Sequence, residues 1–457
     1  MASVDTAELV ERLWARDAAL WTGHDEAQWL GWLDEPLRMQ ERAPALRAFA
    51  EEASRFAHVV LLGMGGSSLA PEVLRRTFGA ERFHVLDTTH PAAVRRLAES
   101  LDVERTLFLV ASKSGTTLET RCHLDFFWEL AGGRGEAFAA ITDPGSKLEA
   151  LAEERGFRAI FLGEPTIGGR YSALSVFGMV PAAVMGVDVE DLLGRAAYAV
   201  DDCRGLVNNH GLELGRALGI GALEGRDKVL INPDPGGFRL WAEQLVAEST
   251  GKEGKGLVPV PGDQEMGPDR QEAEVWISEA YDLGIEFYRW EFAVAVAGSI
   301  LGINPFTQPN VQEAKDRTTA VLSGRETGSD PGTGPEGTVE ELLAGAREGD
   351  YIALQAFIDP AREAELDPLV ARACDTGCVV TVGLGPRYLH STGQLHKGGP
   401  PTGRFVQVVD DPGEDVPIPG HDFGFAGLIE AQAAGDYAAL KERDRPIVRV
   451  RLEEVST

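Results

Sequence analysis

Six consecutive residues, Ser112-Lys113-Ser114-Gly115-Thr116-Thr117, place four hydroxyls and an ammonium around one glycine. They follow an apolar run over Thr106–Val110 and precede a helical pattern over Leu118–Leu130. The backbone N–H groups in the first turn of a helix have no intrahelical partners, and the macrodipole adds positive character there. A strand-to-helix turn of this composition can satisfy the oxygens of a phosphate, and Gly115 lets the backbone come close to the anion. An ordinary N-cap needs a single hydroxyl, and this turn has four together with a lysine. A second turn, Gly65-Gly66-Ser67-Ser68, ends the apolar run His58–Leu62. It has neither the spaced glycines of a dinucleotide fingerprint nor the Gly-Lys-[Ser/Thr] ending of a P-loop. Together the two turns nominate Gly66, Ser67, Ser112, Lys113, Ser114 and Thr117 as contacts to a small phosphorylated molecule.

The elements that must hold these turns are strands alternating with helices. The pattern predicts strands over His58–Leu62, Phe83–Asp87, Thr106–Val110 and Ala137–Thr142, with helices starting at Leu69, Leu118 and after Asp143-Pro144-Gly145. Such alternation makes an α/β fold with a doubly wound parallel sheet and helices on both faces. Ligands of these sheets bind beyond the carboxyl ends of the strands, where both turns sit. A second α/β pattern begins at Lys228–Ile231 and resumes at Tyr351–Ile358, Cys378–Gly383 and Phe405–Val409, after a mostly helical stretch from Ser172 to Leu223. Residues 1–55 read as an N-terminal helical arm, broken at Pro36 and Pro44. Residues 56–222 then form a first lobe and 223–457 a second. The Gly-, Pro- and acid-rich segment Ser323–Gly337 reads as a loop or linker.

Composition narrows the partners. With 43 basic and 72 acidic residues the net charge is −29, a field that opposes nucleic acid and anionic membranes. It also opposes a phosphorylated ligand, so any phosphate site must be built locally. No apolar run reaches the length of a membrane helix. The first residues alternate in charge, unlike a secretory leader, which makes a cytoplasmic setting the expectation. Cys122, Cys203, Cys374 and Cys378 show no metal or redox spacing and read as small buried hydrophobes. Only eight lysines occur, and five of them (Lys113, Lys252, Lys255, Lys315, Lys397) fall in Gly-, Ser- or Thr-rich turns or in the motifs below.

Five segments resemble one family. Ser112–Thr120, S-K-S-G-T-T-L-E-T, is similar to the phosphate loop of sugar isomerase (SIS) domains. Gly168-Gly169-Arg170-Tyr171-Ser172 resembles the G-G-R-[FY]-S segment of glucose-6-phosphate isomerases. Gln244 to Lys252, Q-L-V-A-E-S-T-G-K, resembles their E-S-x-G-K motif with a Gln one turn before the Glu. Asn304 to Lys315 keeps the Phe, Gln and Lys spacing of N-x-F-D-Q-x-G-V-E-x-G-K, with Asn310, Gln312 and Ala314 where Gly, Glu and Gly are typical. His390-Ser-Thr-Gly-Gln394-Leu395 resembles the H-S-x-x-Q-L segment that holds the catalytic histidine. The chain order Glu248, Lys315, His390 departs from the usual Glu, His, Lys. In this it looks most like the isomerase half of bifunctional transaldolase/glucose-6-phosphate isomerase proteins.

The resemblance implies two SIS-type lobes and an aldose–ketose isomerisation of glucose 6-phosphate and fructose 6-phosphate through a cis-enediolate. It leaves open a non-catalytic sugar-phosphate regulator and an enzyme that also takes mannose 6-phosphate. By motif position Glu248 is the base that moves a proton between C1 and C2. Arg170 is the fixed cation for the enediolate oxygens. His390 with Lys315 opens the sugar ring, and His390 is preferred over nearby His396 because it keeps the spacing to Gln394 and Leu395. Lys397 is an alternative cation to Lys315. Gly169, Gln244 and Gln308 complete the expected substrate contacts. This chemistry calls for no cofactor and no metal. The family likeness suggests a homodimer, or fusion to or association with a transaldolase.

Overall fold

The structure is a computed structural model and describes residues 6–310, 318, 322 and 337–455. The expected linker at 323–337 lies outside the described residues except for Gly337.

Strands β1 (His58–Gly63), β2 (Phe83–Leu86), β3 (Thr106–Ala111), β4 (Phe138–Thr142) and β5 (Ala159–Leu162) form one parallel sheet in the order β2-β1-β3-β4-β5. Successive side chains point to opposite faces, and both faces are apolar. Val59, Leu61, Leu107, Leu109 and Ile141 join the core beneath helices Glu35–Ala53, Leu69–Phe78 and Val176–Met185. Val60, Leu62, Phe108, Val110 and Ala140 pack under helices Pro91–Ser100, Leu118–Leu130 and Lys147–Glu154. The chain leaves β1 toward β2 on one side and returns to β3 on the other. The carboxyl ends of β1 and β3, paired at Gly63 and Ala111, therefore form a topological switch point. Both Gly/Ser-rich turns open there.

The remaining strands divide between two parallel sheets. β6 (Lys228–Asn232), β7 (Val258–Pro261) and β8 (Arg270–Glu274) are ordered β7-β6-β8, and β9 (Tyr351–Phe357), β10 (Val379–Leu384), β11 (Gly403–Val409) and β12 (Ile447–Arg451) are ordered β10-β9-β11-β12. The Gln264 carboxamide joins them: its Nε2 donates to Val380 O at 2.7 Å and its Oε1 accepts from Val380 N at 2.8 Å. A side-chain amide thus supplies the edge of β10 with the pairing a neighbouring strand would give. Leu230, Val258, Val260, Tyr351, Ala353 and Phe405 share one core across this junction.

Two expectations are corrected. Helix Glu35–Ala53 runs through both prolines, Pro36 in its first turn and Pro44 inside. Pro36 lacks only an N–H that has no intrahelical partner at that position. Pro44 faces solvent, while Met39, Ala43, Leu46 and Phe49 bury the opposite face. An interior proline costs about 3 kcal/mol, and burying each of the large side chains returns about 1.5–3 kcal/mol. The second correction concerns cysteine: Cys122 and Cys203 are buried, but Cys374 is exposed and Cys378 half-buried. The N-terminal segment is fastened to the core, with Trp21 Nε1 donating to Ala295 O at 2.8 Å and Trp32 stacked on Tyr171 at 5.3 Å.

Candidate active site

Glu248 lies in the last turn of helix Arg239–Thr250, with Gln244 one turn earlier on the same face. Glu248 is 8% exposed, open enough to meet a ligand and too buried to be a solvated surface charge. Its Oε2 accepts from Gln244 Nε2 at 3.0 Å, and its Oε1 is 3.2 Å from Arg170 Nη1. The carboxylate is therefore fixed at both oxygens.

Arg170 sits in the short turn Gly169–Tyr171 and is 2% exposed. Nε donates to Ser249 Oγ at 2.8 Å and Nη1 to Gln308 Oε1 at 3.0 Å. Nη2 donates to Pro305 O at 2.8 Å and Thr307 O at 3.1 Å. The planar guanidinium fork suits this many fixed acceptors, as a flexible ammonium does not. Three of the motifs recognised in the sequence meet around this one side chain.

Close backbone approach brings in the fourth. A Cβ on Gly66 would lie 2.1 Å from Gly169 O, and one on Gly65, at φ +55°, would lie 2.9 Å from His390 Cβ. The glycines at the end of β1 are therefore wedged between the Arg170 turn and the His390 turn. Gln244 Nε2 also donates to His390 O at 2.8 Å, tying the Glu248 helix to the same turn. His390 Nε2 reaches Glu119 Oε1 at 2.9 Å. Glu119 belongs to the first turn of helix Leu118–Leu130, directly after the hydroxyl-rich turn.

In that turn Thr117 is the N-cap residue, yet its side chain makes no capping hydrogen bond. Its Oγ1 lies 3.1 Å from Ser112 Oγ instead, while Ser114 Oγ lies 2.7 Å from Thr116 Oγ1. Gly115 has φ +66°, and a Cβ there would lie 2.3 Å from Leu148 N. Because the cap is not spent on the helix, its first N–H groups stay available to an anion. Lys113 behaves differently from the other members of the turn: its Nζ pairs with Asp143 at 2.8 Å and lies over the Phe177 ring.

The alternatives left open by the sequence separate in space. His396 is buried against Tyr351, with Nδ1 3.1 Å from the phenol, and burial holds its pKa well below the usual value. Lys397 is buried in an ion pair with Asp436, which also accepts from Tyr388 OH at 2.5 Å. Lys315 lies outside the described residues.

Glu119, Ser249 and Lys252 each fall inside a quoted motif, but nothing in their local pattern marks them as functional. Lys252 is buried and donates to Asn304 O at 2.7 Å and to Thr307 O. Burial first, and then the neighbouring Arg170 charge, depress its pKa well below the ordinary lysine range. Gln432, which donates to Glu119 Oε1 at 2.8 Å, lies in no quoted motif. Among the described residues no group of three or more His, Cys, Asp or Glu side chains converges as metal ligands would. What does converge is a carboxylate held beside a guanidinium, with an imidazole–carboxylate pair and an uncapped helix N-terminus on adjoining turns. That set can transfer protons next to a stabilised oxyanion.

Residues 43–204 match the phosphoglucose isomerase family. A glucose-6-phosphate isomerase of Thermus thermophilus is 38% identical over 178 residues, covering 37% of this chain and 42% of that one. The glucose-6-phosphate isomerase of Rubrobacter xylanophilus is 28% identical over 374 residues, covering 62% of this chain and 85% of that one. The match to the Thermus protein thus spans less than half of that relative's length. The crystal structure of a glucose-6-phosphate isomerase from Chlamydia trachomatis superposes with a TM-score of 0.51 at 19% identity, over 69% of this chain and 78% of that one, a likeness of fold. Over residues 43–204 the chain is thus similar in sequence to the phosphoglucose isomerase family, and its fold is like that of a solved glucose-6-phosphate isomerase.

Proposed function

We propose that this protein interconverts glucose 6-phosphate and fructose 6-phosphate, with no cofactor, by proton transfer through a cis-enediolate. The observation that carries the reading is Glu248 clamped between Gln244 and Arg170, with the His390–Glu119 pair on the adjoining turn. The phosphate docks at the Ser112–Thr117 turn, held by its hydroxyls and by the first N–H groups of the helix. His390, backed by Glu119, moves a proton at the ring oxygen as the ring opens, and we assign Lys315 to the same step. Glu248 then takes the C2 proton of the open-chain aldose and returns it to C1. Charge that builds on the enediolate oxygens faces Arg170, whose position is already fixed by its other acceptors. Retention of base, cation and imidazole together supports catalysis over regulatory binding alone.

The test is a coupled assay of fructose 6-phosphate to glucose 6-phosphate, run beside mannose 6-phosphate and beside erythrose 4-phosphate plus sedoheptulose 7-phosphate. We expect turnover in the first arm, and its absence overturns the reading. Turnover of mannose 6-phosphate would widen the substrate range. Transaldolase turnover by the purified chain would reveal a second activity, beyond the partnership with a transaldolase that the chain order suggests. Free thiols in all four cysteines fit a cytoplasmic setting.

The phosphate turn gives its own expectation. Ser112→Ala combined with Thr117→Ala removes two donors to an anion. At about 1.5–3 kcal/mol per charge-assisted bond, KM should rise at least tenfold while kcat changes little. An unchanged KM would move the phosphate elsewhere.

His390 reaches Glu119 of its own chain. Whether or not the protein forms a homodimer, specific activity should therefore stay constant as the enzyme is diluted through the concentration at which any oligomer dissociates. A fall in parallel with dissociation, followed by light scattering, would mean that a partner supplies part of the site.

A further inference from the structure

Glu119 accepts hydrogen bonds from two sides. Among the described residues, one comes from the His390 ring and one from Gln432 on helix Phe425–Lys441, which reaches across from the far end of the chain. Gln432 is 2% exposed, and its Oε1 accepts from Thr89 Oγ1 at 2.7 Å. Thr89 is fully buried in the loop that follows β2. An ionised carboxylate only accepts, so the amide end facing Glu119 must be the NH2 group. The carbonyl end then faces Thr89, whose hydroxyl donates to it. The polarity of the chain Thr89–Gln432–Glu119 is thereby determined.

We propose that Gln432, oriented by Thr89, is a positioning residue that sets the Glu119 carboxylate so that it holds His390 as the Nε2–H tautomer. The inference rests on the isomerase reading and deepens it. With Nε2–H committed to Glu119, Nδ1 is the nitrogen that exchanges a proton with the sugar. Among the described residues, the charged and titratable groups around the pair come from several elements. His123 lies one turn along the Glu119 helix and feels both Glu119 and Asp87. Asp87 is paired with Arg387 at 2.8 Å, in the turn that carries His390. His90, beside Thr89, is bonded to Asp410, and Asp436, one turn along the Gln432 helix, is paired with Lys397. Burial holds the His123 pKa down at about 4, so that ring stays neutral near neutrality. Gln432 is thus the neutral donor in a setting where a charge would disturb Glu119.

The test measures kcat, KM and thermal midpoint for Gln432→Met, Gln432→Glu and Thr89→Val from mildly acid to mildly alkaline pH. Loss of one hydrogen bond to a carboxylate should lower kcat of Gln432→Met about tenfold at every pH, with KM and the thermal midpoint little changed. Thr89→Val, which keeps the shape and removes the hydroxyl, should lower kcat in the same direction by a smaller factor. Gln432→Glu is the diagnostic variant. Protonated at acid pH, the new carboxyl donates to Glu119 and kcat approaches wild type. As pH rises, two adjacent carboxylates repel and kcat falls away from wild type. Nitrogen-15 spectra of the His390 ring read the same pairing without turnover: a single Nε2–H tautomer in wild type and a mixture in Gln432→Met. Wild-type kcat in both Gln432→Met and Thr89→Val, a Gln432→Glu profile parallel to wild type, or an unchanged tautomer in Gln432→Met overturns the proposal. A wild-type enzyme without isomerase turnover would instead defeat the isomerase reading, and the ring spectra then decide the role of Gln432 alone.

Discussion

Glu248→Gln should lower kcat by about a thousandfold or more, while 6-phosphogluconate still binds within about tenfold of wild type. The substitution keeps the shape and the hydrogen bond from Gln244, and it removes the carboxylate held 3.2 Å from Arg170. A proton taken from carbon requires a base, and an amide is not one. In the proposed reading, ligand binding depends chiefly on the phosphate turn and the hydroxyl contacts, which the variant leaves in place. Solvent-exchange measurements add a second reading, because deuterium should no longer enter the sugar at C1 or C2. Near-normal turnover in Glu248→Gln would remove this residue as the base.

Arg170→Lys should lower kcat about a hundredfold to a thousandfold, the usual cost of losing one preorganised oxyanion donor. Charge alone does not define the residue. The guanidinium bonds Ser249, Gln308 and the carbonyls of Pro305 and Thr307, and still has Nη1 beside Glu248. A lysine ammonium carries three donors on a flexible stem and cannot hold that geometry. Arg170→Met should show the same kinetic loss together with destabilisation of about 3 kcal/mol, because Glu248 is left buried without its cation. If Arg170→Lys turns over at the wild-type rate, the enediolate is stabilised elsewhere. Comparing the two variants by kcat and by denaturant midpoint separates catalytic from structural loss.

Much of this was readable one segment at a time. Apolar runs bounded by glycine turns located β1, β3 and β4 to within a residue or two, and the helix over Leu118–Leu130 is observed with the bounds its pattern suggests. Those signals are local, since burial on both faces of a sheet demands continuous apolar residues. Strands β5, β7, β8 and β12 were not legible. β7 is four residues long and reads V-P-V-P, and a strand interrupted by prolines forms only where a neighbour supplies its edge. The helix runs through Pro44 against its local signal for a related reason, because propensity is outweighed once the opposite face is buried.

The sequence by itself determined which chemical groups the protein possesses and which turns hold them: the hydroxyl-rich turn, the Gly-Gly-Arg turn, Glu248 with Gln244 one helical turn away, and His390. Each lies in a short segment whose residue types answer a local requirement, such as an anion at a helix start or close backbone approach at glycine. Only the tertiary structure decided how those groups are paired. His390 meets Glu119 across 271 residues, Arg170 meets Gln308 across 138, and Thr89 meets Gln432 across 343. Such pairs leave no periodicity in the chain, because their partners are chosen by the packing of sheets and helices. Burial also decided between equals: it placed His396 and Lys397 in the core, each with its own partner, and left His390 partly exposed beside the switch point.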